Sequence, residues 1–240
     1  MNDEAQLQLF SELRYADELE DFPFHKGGRN EYYYDNKMFG PGDSEVLYSF
    51  IRHFKPKRII EIGSGNSTLM CINGVKANKK EDSNYACDIH CIEPYQMPWL
   101  EELDIKLNRE LVENIDVLWF NQLEENDILF IDSSHIIRPQ GDVLFEFLQI
   151  LPRLKKGVII HIHDIFTPKD YLDAWVFDAL RIYNEQYLME ALLSNSNSYE
   201  IIGALNYLFY EHREALFATC PILREHSELE PRSFWLRKSA

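Results

Sequence analysis

Four short apolar runs, each stopping abruptly in polar residues, constrain this chain most. Arg58–Ile62 stops at Gly63, Ser64 and Gly65, and Ile89–Ile92 stops at Glu93. Ile128–Ile131 gives way to Asp132, Ser133, Ser134 and His135, and Val158–Ile162 to His163 and Asp164. Runs this short, mostly apolar rather than alternating, are what strands buried on both faces require. The segments between them carry helical spacing. Val46, Leu47, Phe50, Ile51 and Phe54 define a helix from Asp43, and Leu144, Phe147, Leu148 and Leu151 define another over Asp142–Leu154. Strands alternating with helices predict an α/β fold, a mostly parallel sheet with helices on both faces. Two late apolar runs, Glu200–Leu205 and Ser233–Arg237, predict an antiparallel edge, with helical Glu211–Cys220 between them.

The remaining expectations are coarser. Asn66–Val75 reads as a helix after the glycine turn, Asn78–Asn84 as a polar surface loop, Ile105–Leu107 as a weak strand and Leu172–Leu193 as one long helix. Residues 1–42, acidic and then rich in tyrosine and glycine, read as a mobile cover over a main domain spanning 43–240. Tyr32, Tyr33 and Tyr34 suit either stacking on a ligand ring or a packed surface cluster, while Asn184, Glu185 and Gln186 read first as solvated helix surface and second as the lining of an acceptor pocket.

Charge excludes several functions. Forty acidic residues against 24 basic ones give a formal charge of −16, a field that repels phosphate backbones and anionic membranes. No run approaches the roughly 18 apolar residues of a spanning helix, and MNDEAQLQLF lacks a basic-then-apolar leader, so a cytoplasmic protein is expected. Cys71, Cys87, Cys91 and Cys220 lack the spacing of a disulfide framework and are expected as free thiols.

In open parallel sheets ligands bind beyond the carboxyl ends of the strands, which is where this chain keeps its chemistry. Gly63 and Gly65 let the backbone turn sharply and approach a ligand, and the amides of the following helix face the same way. Thr68 stands where a dinucleotide fingerprint has its third glycine. Glu61 is a carboxylate inside the first strand, and Glu93 is placed to accept from a ribose diol. Asp132 and His135 leave one strand; His161 and His163 share a face of another, with Asp164 at its end. Carboxylates and imidazoles from two adjacent strand tips suit proton transfer or a divalent cation. His161 reads first as a satisfied core histidine of the sheet.

RIIEIGSGNST, HCIEPY, DILFIDSSH, GDVLFEFLQILPRL and GVIIHIHDIFTPKDY together resemble class I S-adenosylmethionine-dependent methyltransferases, and more narrowly a bacterial subgroup carrying the HIHDIF block. The resemblance implies a Rossmann-like fold and a methyltransferase acting on a small-molecule acceptor, through oxygen before nitrogen. It implies that Glu61, Gly63, Ser64, Gly65 and Ser67 surround the methionine part of the cofactor, that Glu93 holds the ribose, that Glu113 lies near adenine, and that Asp132 borders the cofactor. Asp132, His135, His163 and Asp164 become the catalytic candidates, with His135 or His163 as general base. In catechol-type relatives an Asp after the fourth strand and an Asp-Asn pair after the fifth bind a divalent metal; here Asp132 and Asp164 match, with Ile165 in place of the Asn, and Asp132, His163 and Asp164 form the expected metal set. The same architecture admits a metal-dependent hydroxylase of the cephalosporin-hydroxylase type and a non-catalytic cofactor-binding module, and it allows a homo-oligomer.

Overall fold

The computed structural model describes residues 1–194 and 196–240. Seven strands form one sheet: β1 (Arg58–Ile62), β2 (Asp88–Ile92), β3 (Lys106–Asn108), β4 (Ile128–Ile131), β5 (Ile159–Ile162), β6 (Tyr199–Ala204) and β7 (Phe234–Lys238). Their spatial order is β3-β2-β1-β4-β5-β7-β6. The first five are mutually parallel, and β7 enters antiparallel between β5 and β6, pairing His161 with Trp235. Strand order reverses between β1 and β4, so a crevice opens there at the carboxyl ends. Asp127, just before β4, fixes the opposite end. Its buried Oδ1 accepts the backbone N–H groups of Lys57 and Arg58 at 2.9 and 2.8 Å, and its Oδ2 accepts that of Glu124.

One apolar layer packs beneath the helix Asp43–Phe54 and the helix Asn66–Glu81, and a second packs under the helical body that begins at Asp142. The latter opens as α-helix over Asp142–Phe145, widens to a π-helical turn over Glu146–Ile150 and tightens to a 3₁₀ turn before Leu154. The expected helices thus form on both faces.

Three expectations change. The helix after the glycine turn runs to Glu81, absorbing part of the predicted loop. Asn78 is buried there because its side chain bolts two helices together, donating to Ile51 O at 2.8 Å and accepting from Arg52 Nη1 at 2.5 Å. The predicted long helix over 172–193 is broken. A π-helical turn spans Ala174–Asp178, Leu180 takes a left-handed φ of 52°, and α-helix resumes at Glu185–Ser194. Finally, residues 1–42 are anchored rather than mobile. Phe10, Leu13, Leu19, Tyr32, Tyr34 and Phe39 are buried in the first apolar layer, and the Tyr32 and Tyr34 hydroxyls donate to Phe39 O and Leu19 O, both at 2.8 Å. Neither ring is available to stack on a ligand. No described helix is long and apolar enough to cross a membrane, and all four cysteines are free.

Candidate active site

The site begins at the turn after β1. Gly63 has φ +79°, and a Cβ there would stand 1.9 Å from Asp132 O, so only glycine permits β1 and β4 to end side by side. Ser64 N–H donates to Glu93 Oε2 at 3.1 Å, and Glu93 Oε1 accepts Tyr95 N–H at 2.8 Å, tying the glycine turn to the end of β2. Gly65 is extended, and no heavy atom lies within 4 Å of where its Cβ would stand. The buried Ser64 Oγ has no partner.

Glu61 and Ser67 act on this turn from beneath. Glu61 Oε1 accepts Ser67 Oγ–H at 2.6 Å, while Oε2 accepts Thr68 Oγ–H at 2.5 Å and the Cys91 thiol at 3.3 Å. Burial pushes the Glu61 carboxyl up to about 7 despite these donors. Its oxygens are spent on locking the turn and do not reach the crevice. Glu113 lies on a 3₁₀ turn after β3, 3.8 Å from Arg138, and is also outside the crevice lining.

Beyond the turn lies a cavity of about 460 Å³. Gly63, Ser64 and Glu93 form one side; Asp132, Ser133, His135, His163 and Asp164 form its floor; Lys37, Met38, Trp175, Arg181, Tyr183 and Arg232 form the other side. The four predicted catalytic residues therefore meet at one place. His135 (φ 58°) and Asp164 (φ 56°) both take left-handed backbone conformations that non-glycine residues rarely adopt. Such strain persists only where the surroundings hold it.

The floor is a closed alternation of acids and imidazoles. His135 Nε2 faces Asp132 Oδ1 at 3.2 Å and Asp164 Oδ2 at 3.6 Å, and its Nδ1 pairs with Glu185 Oε2 at 2.9 Å. His163 Nδ1 faces Asp132 Oδ1 at 3.4 Å and Asp164 Oδ1 at 3.6 Å, with Asp43 Oδ2 3.5 Å from its Nε2. Arg232 Nη1 closes on Asp164 Oδ1 at 3.0 Å. Burial opposes a charge on His163, but the neighbouring Asp132 and Asp164 outweigh it and lift the imidazole to about 10. Burial likewise opposes a charge on His135, and Asp132 and Glu185 override it, holding the ring well above its ordinary value. Asp132 is held well below the usual carboxylate range: burial would raise it, but His163 and His135 prevail. Imidazoles flanked by carboxylates favour their protonated form, which bears on the expectation of a general base at His135 or His163. His161 stands apart. It stacks on Phe130 with ring centroids 3.8 Å apart and sets Nε2 2.8 Å from Ser233 Oγ, and burial, then His163, holds its ring well below the ordinary imidazole value.

The expected metal set does not form. Asp132, His163 and Asp164 do come together, yet among the described residues no group of three His, Cys, Asp or Glu side chains has the geometry to hold a metal ion. The reason lies in the neighbours: imidazole nitrogens stand 3.2 to 3.6 Å from the carboxylate oxygens of Asp132 and Asp164, and Arg232 puts a cation on Asp164. Ile165 is buried in the apolar core and contributes no ligand. A chelator such as EDTA is accordingly expected to leave the thermal midpoint unchanged, and Mn²⁺ titrated calorimetrically should show no micromolar site; a tight, stoichiometric Mn²⁺ isotherm would contradict this geometry.

Several site residues were not legible in the chain. Glu185, read as surface, is fully buried. Its helix start clamps the His135 loop, with Asn184 N–H donating to His135 O at 3.0 Å and the Asn184 side chain accepting Ile137 N–H at 2.5 Å. Gln186, also read as surface, accepts Phe166 N–H at 2.7 Å. Asp43 begins a helix, and its Oδ1 accepts the N–H groups of Arg232 and Ser233 at 2.8 and 2.7 Å. Glu146, on the π-helical turn, accepts Ser133 Oγ–H at 3.1 Å, and burial, with Glu185 nearby, pushes its carboxyl well above the ordinary value. The one available signal was the density of polar residues in YNEQY, which helical periodicity assigned to solvent.

The glycine turn against β4 and the acids at the ends of β2, β4 and β5 all fall within one matched methyltransferase domain. Residues 60–165 match the family described as a methyltransferase domain. An uncharacterised protein of Archaeoglobus fulgidus is 38% identical over 102 residues, which are 40% of this chain and 44% of that one; the chain thus spans less than half the length of this curated relative. Among solved structures, an O-methyltransferase from Bacillus cereus in complex with SAH aligns at 11% identity with a TM-score of 0.49, covering 98% of this chain and 91% of that one. A putative methyltransferase from Thermobifida fusca aligns at 12% identity with a TM-score of 0.45, covering 83% and 81%.

Proposed function

We propose that the protein transfers the methyl group of S-adenosylmethionine to an oxygen of a small acceptor, in a cytoplasmic setting. The observation that carries this reading is the shared cavity: the Gly63–Gly65 turn and Glu93 open onto the same hollow as Asp132, His135, His163 and Asp164. The cradle suits the cofactor. Ser64 Oγ is a buried hydroxyl without a partner, space stands open at Gly65, and Glu93 lies at the end of β2, where a ribose diol would find an acceptor. The sulfonium supplies the hard chemistry when bound, an electrophilic carbon with a neutral leaving group. The chain's own residues align and shield. Gly63 and Ser64 fix the cofactor end of the cavity, the Asp132–His135–His163–Asp164 floor orients the acceptor oxygen, and Trp175 and Tyr183 wall the hollow against water.

Calorimetric titration of S-adenosylmethionine into cofactor-stripped protein tests the reading, with binding expected and its absence decisive against it. In Glu93→Ala, loss of a charged acceptor should weaken that binding by about 10- to 100-fold. An unchanged affinity in that variant would remove Glu93 from the cofactor site.

A further inference from the structure

We propose that the acceptor oxygen belongs to a carboxylate and that the product is a methyl ester, an inference that rests on the methyl-transfer reading above. The geometry leaves nothing in the cavity floor to deprotonate a neutral acceptor. Both ring nitrogens of His135 face carboxylates, Glu185 at 2.9 Å and Asp132 at 3.2 Å, and both of His163 face Asp132 and Asp43 at 3.4 and 3.5 Å. Carboxylates accept and do not donate, so a buried imidazole flanked by them at both nitrogens is held with a proton on each and has no lone pair left to take another. Asp132 and Asp164 stand against these same rings, and Asp164 also against Arg232 at 3.0 Å, so their oxygens are already occupied by cations. A phenol, with an ordinary pKa near 10, would meet no base here; a carboxylic acid arrives already ionised.

The opposite wall offers charge of the matching sign. Arg181 stacks on Trp175 at 4.4 Å and makes no ion pair among the described residues, and Arg232 lies 5.3 Å from the same ring. A stacked guanidinium keeps its N–H edge free for a carboxylate. Its place on the cavity wall is notable in a chain of net charge −16, where most of the surface repels anions. The step then balances without proton transfer. A carboxylate oxygen lone pair forms the new O–CH₃ bond, the S–CH₃ bond breaks, and its electron pair stays on sulfur, leaving a neutral thioether and a neutral ester.

The test compares benzoate with benzamide, near-isosteres that differ in charge, titrated at pH 7 into the full chain loaded with S-adenosylhomocysteine. Benzoate is expected to bind about tenfold tighter or better, and Arg181→Gln to lose most of that preference while holding S-adenosylhomocysteine as before. Equal affinities, a benzamide preference, or no benzoate binding at millimolar concentration would overturn the proposal alone. Failure of S-adenosylhomocysteine to bind would remove the methyl-transfer reading and this proposal with it.

Discussion

Gly63→Ala is expected to destabilise the protein by about 3 to 5 kcal/mol and to abolish cofactor binding. The new methyl group would stand 1.9 Å from Asp132 O, a backbone atom that cannot rotate away, and φ +79° is strained for alanine in any case. Relief requires the ends of β1 and β4 to separate, which would dismantle the floor of the cavity along with the turn. In a chain of this size the thermal midpoint should drop by roughly 10 °C. Gly65→Ala is the informative partner. That residue is extended and has open space beside it, so its midpoint should stay within about 1 kcal/mol equivalent of the parent while affinity for S-adenosylmethionine falls. A Gly63→Ala protein that melts with the parent would contradict the close approach of the two strands.

Stability is also expected to decline steadily from mildly acidic to alkaline pH. Glu45 and Glu61 are fully buried, and burial pushes both carboxyls up to about 7. A carboxyl raised on folding contributes most below its unfolded value and loses that contribution as pH climbs from about 4.5 to 7. His163, raised to about 10 by Asp132 and Asp164 against its burial, contributes fully below about 6.5 and loses its share between there and 10. At about 1.4 kcal/mol per unit, each group carries on the order of 3 to 5 kcal/mol. Asp132 and Asp43, both lowered, act in the opposite sense, and their stabilisation is lost only as pH falls below the ordinary carboxylate range. Chemical denaturation across pH 5 to 10 should therefore show a falling curve whose alkaline limb flattens in His163→Asn. A curve that rises between pH 6 and 9 would rule out imidazoliums at the floor.

The parts of this architecture that a linear chain displays are those set by local pattern. Ile128–Ile131 announces a buried strand because every residue is apolar, Ile159–Ile162 because every residue but His161 is, and their abrupt ends mark where chemistry gathers. Gly63, Glu93, Asp132, His135, His163 and Asp164 were legible for that reason and do share one cavity. What was hidden depends on partners far away in sequence. Glu185 sits 50 residues from His135, and nothing in its neighbourhood says that it turns inward. Asn78 looked like loop because polarity was its only local signal, whereas its burial is decided by Ile51 and Arg52 on another helix. The helix over 172–193 kept its periodic spacing on paper, but Leu180 leaves the helical region and turns Tyr183 and Asn184 toward the cavity and the His135 loop. Tyr32 and Tyr34 were misplaced for a related reason: a glycine-rich surrounding suggested mobility, while their hydroxyls found carbonyl partners inside the core.

The insertion of β7 between β5 and β6 has a bearing on assembly order. Residues that follow β6 in the chain supply the strand that joins β6 to the rest of the sheet, and the approach to that strand delivers Arg232 to Asp164 and Ser233 to His161. A nascent or truncated chain that stops short of Arg232 would therefore leave β5 as a raw margin and the acid–imidazole floor without its guanidinium. Catalytic competence and completion of the sheet become a single event, and incomplete copies should be inert toward the cofactor's methyl group rather than weakly active.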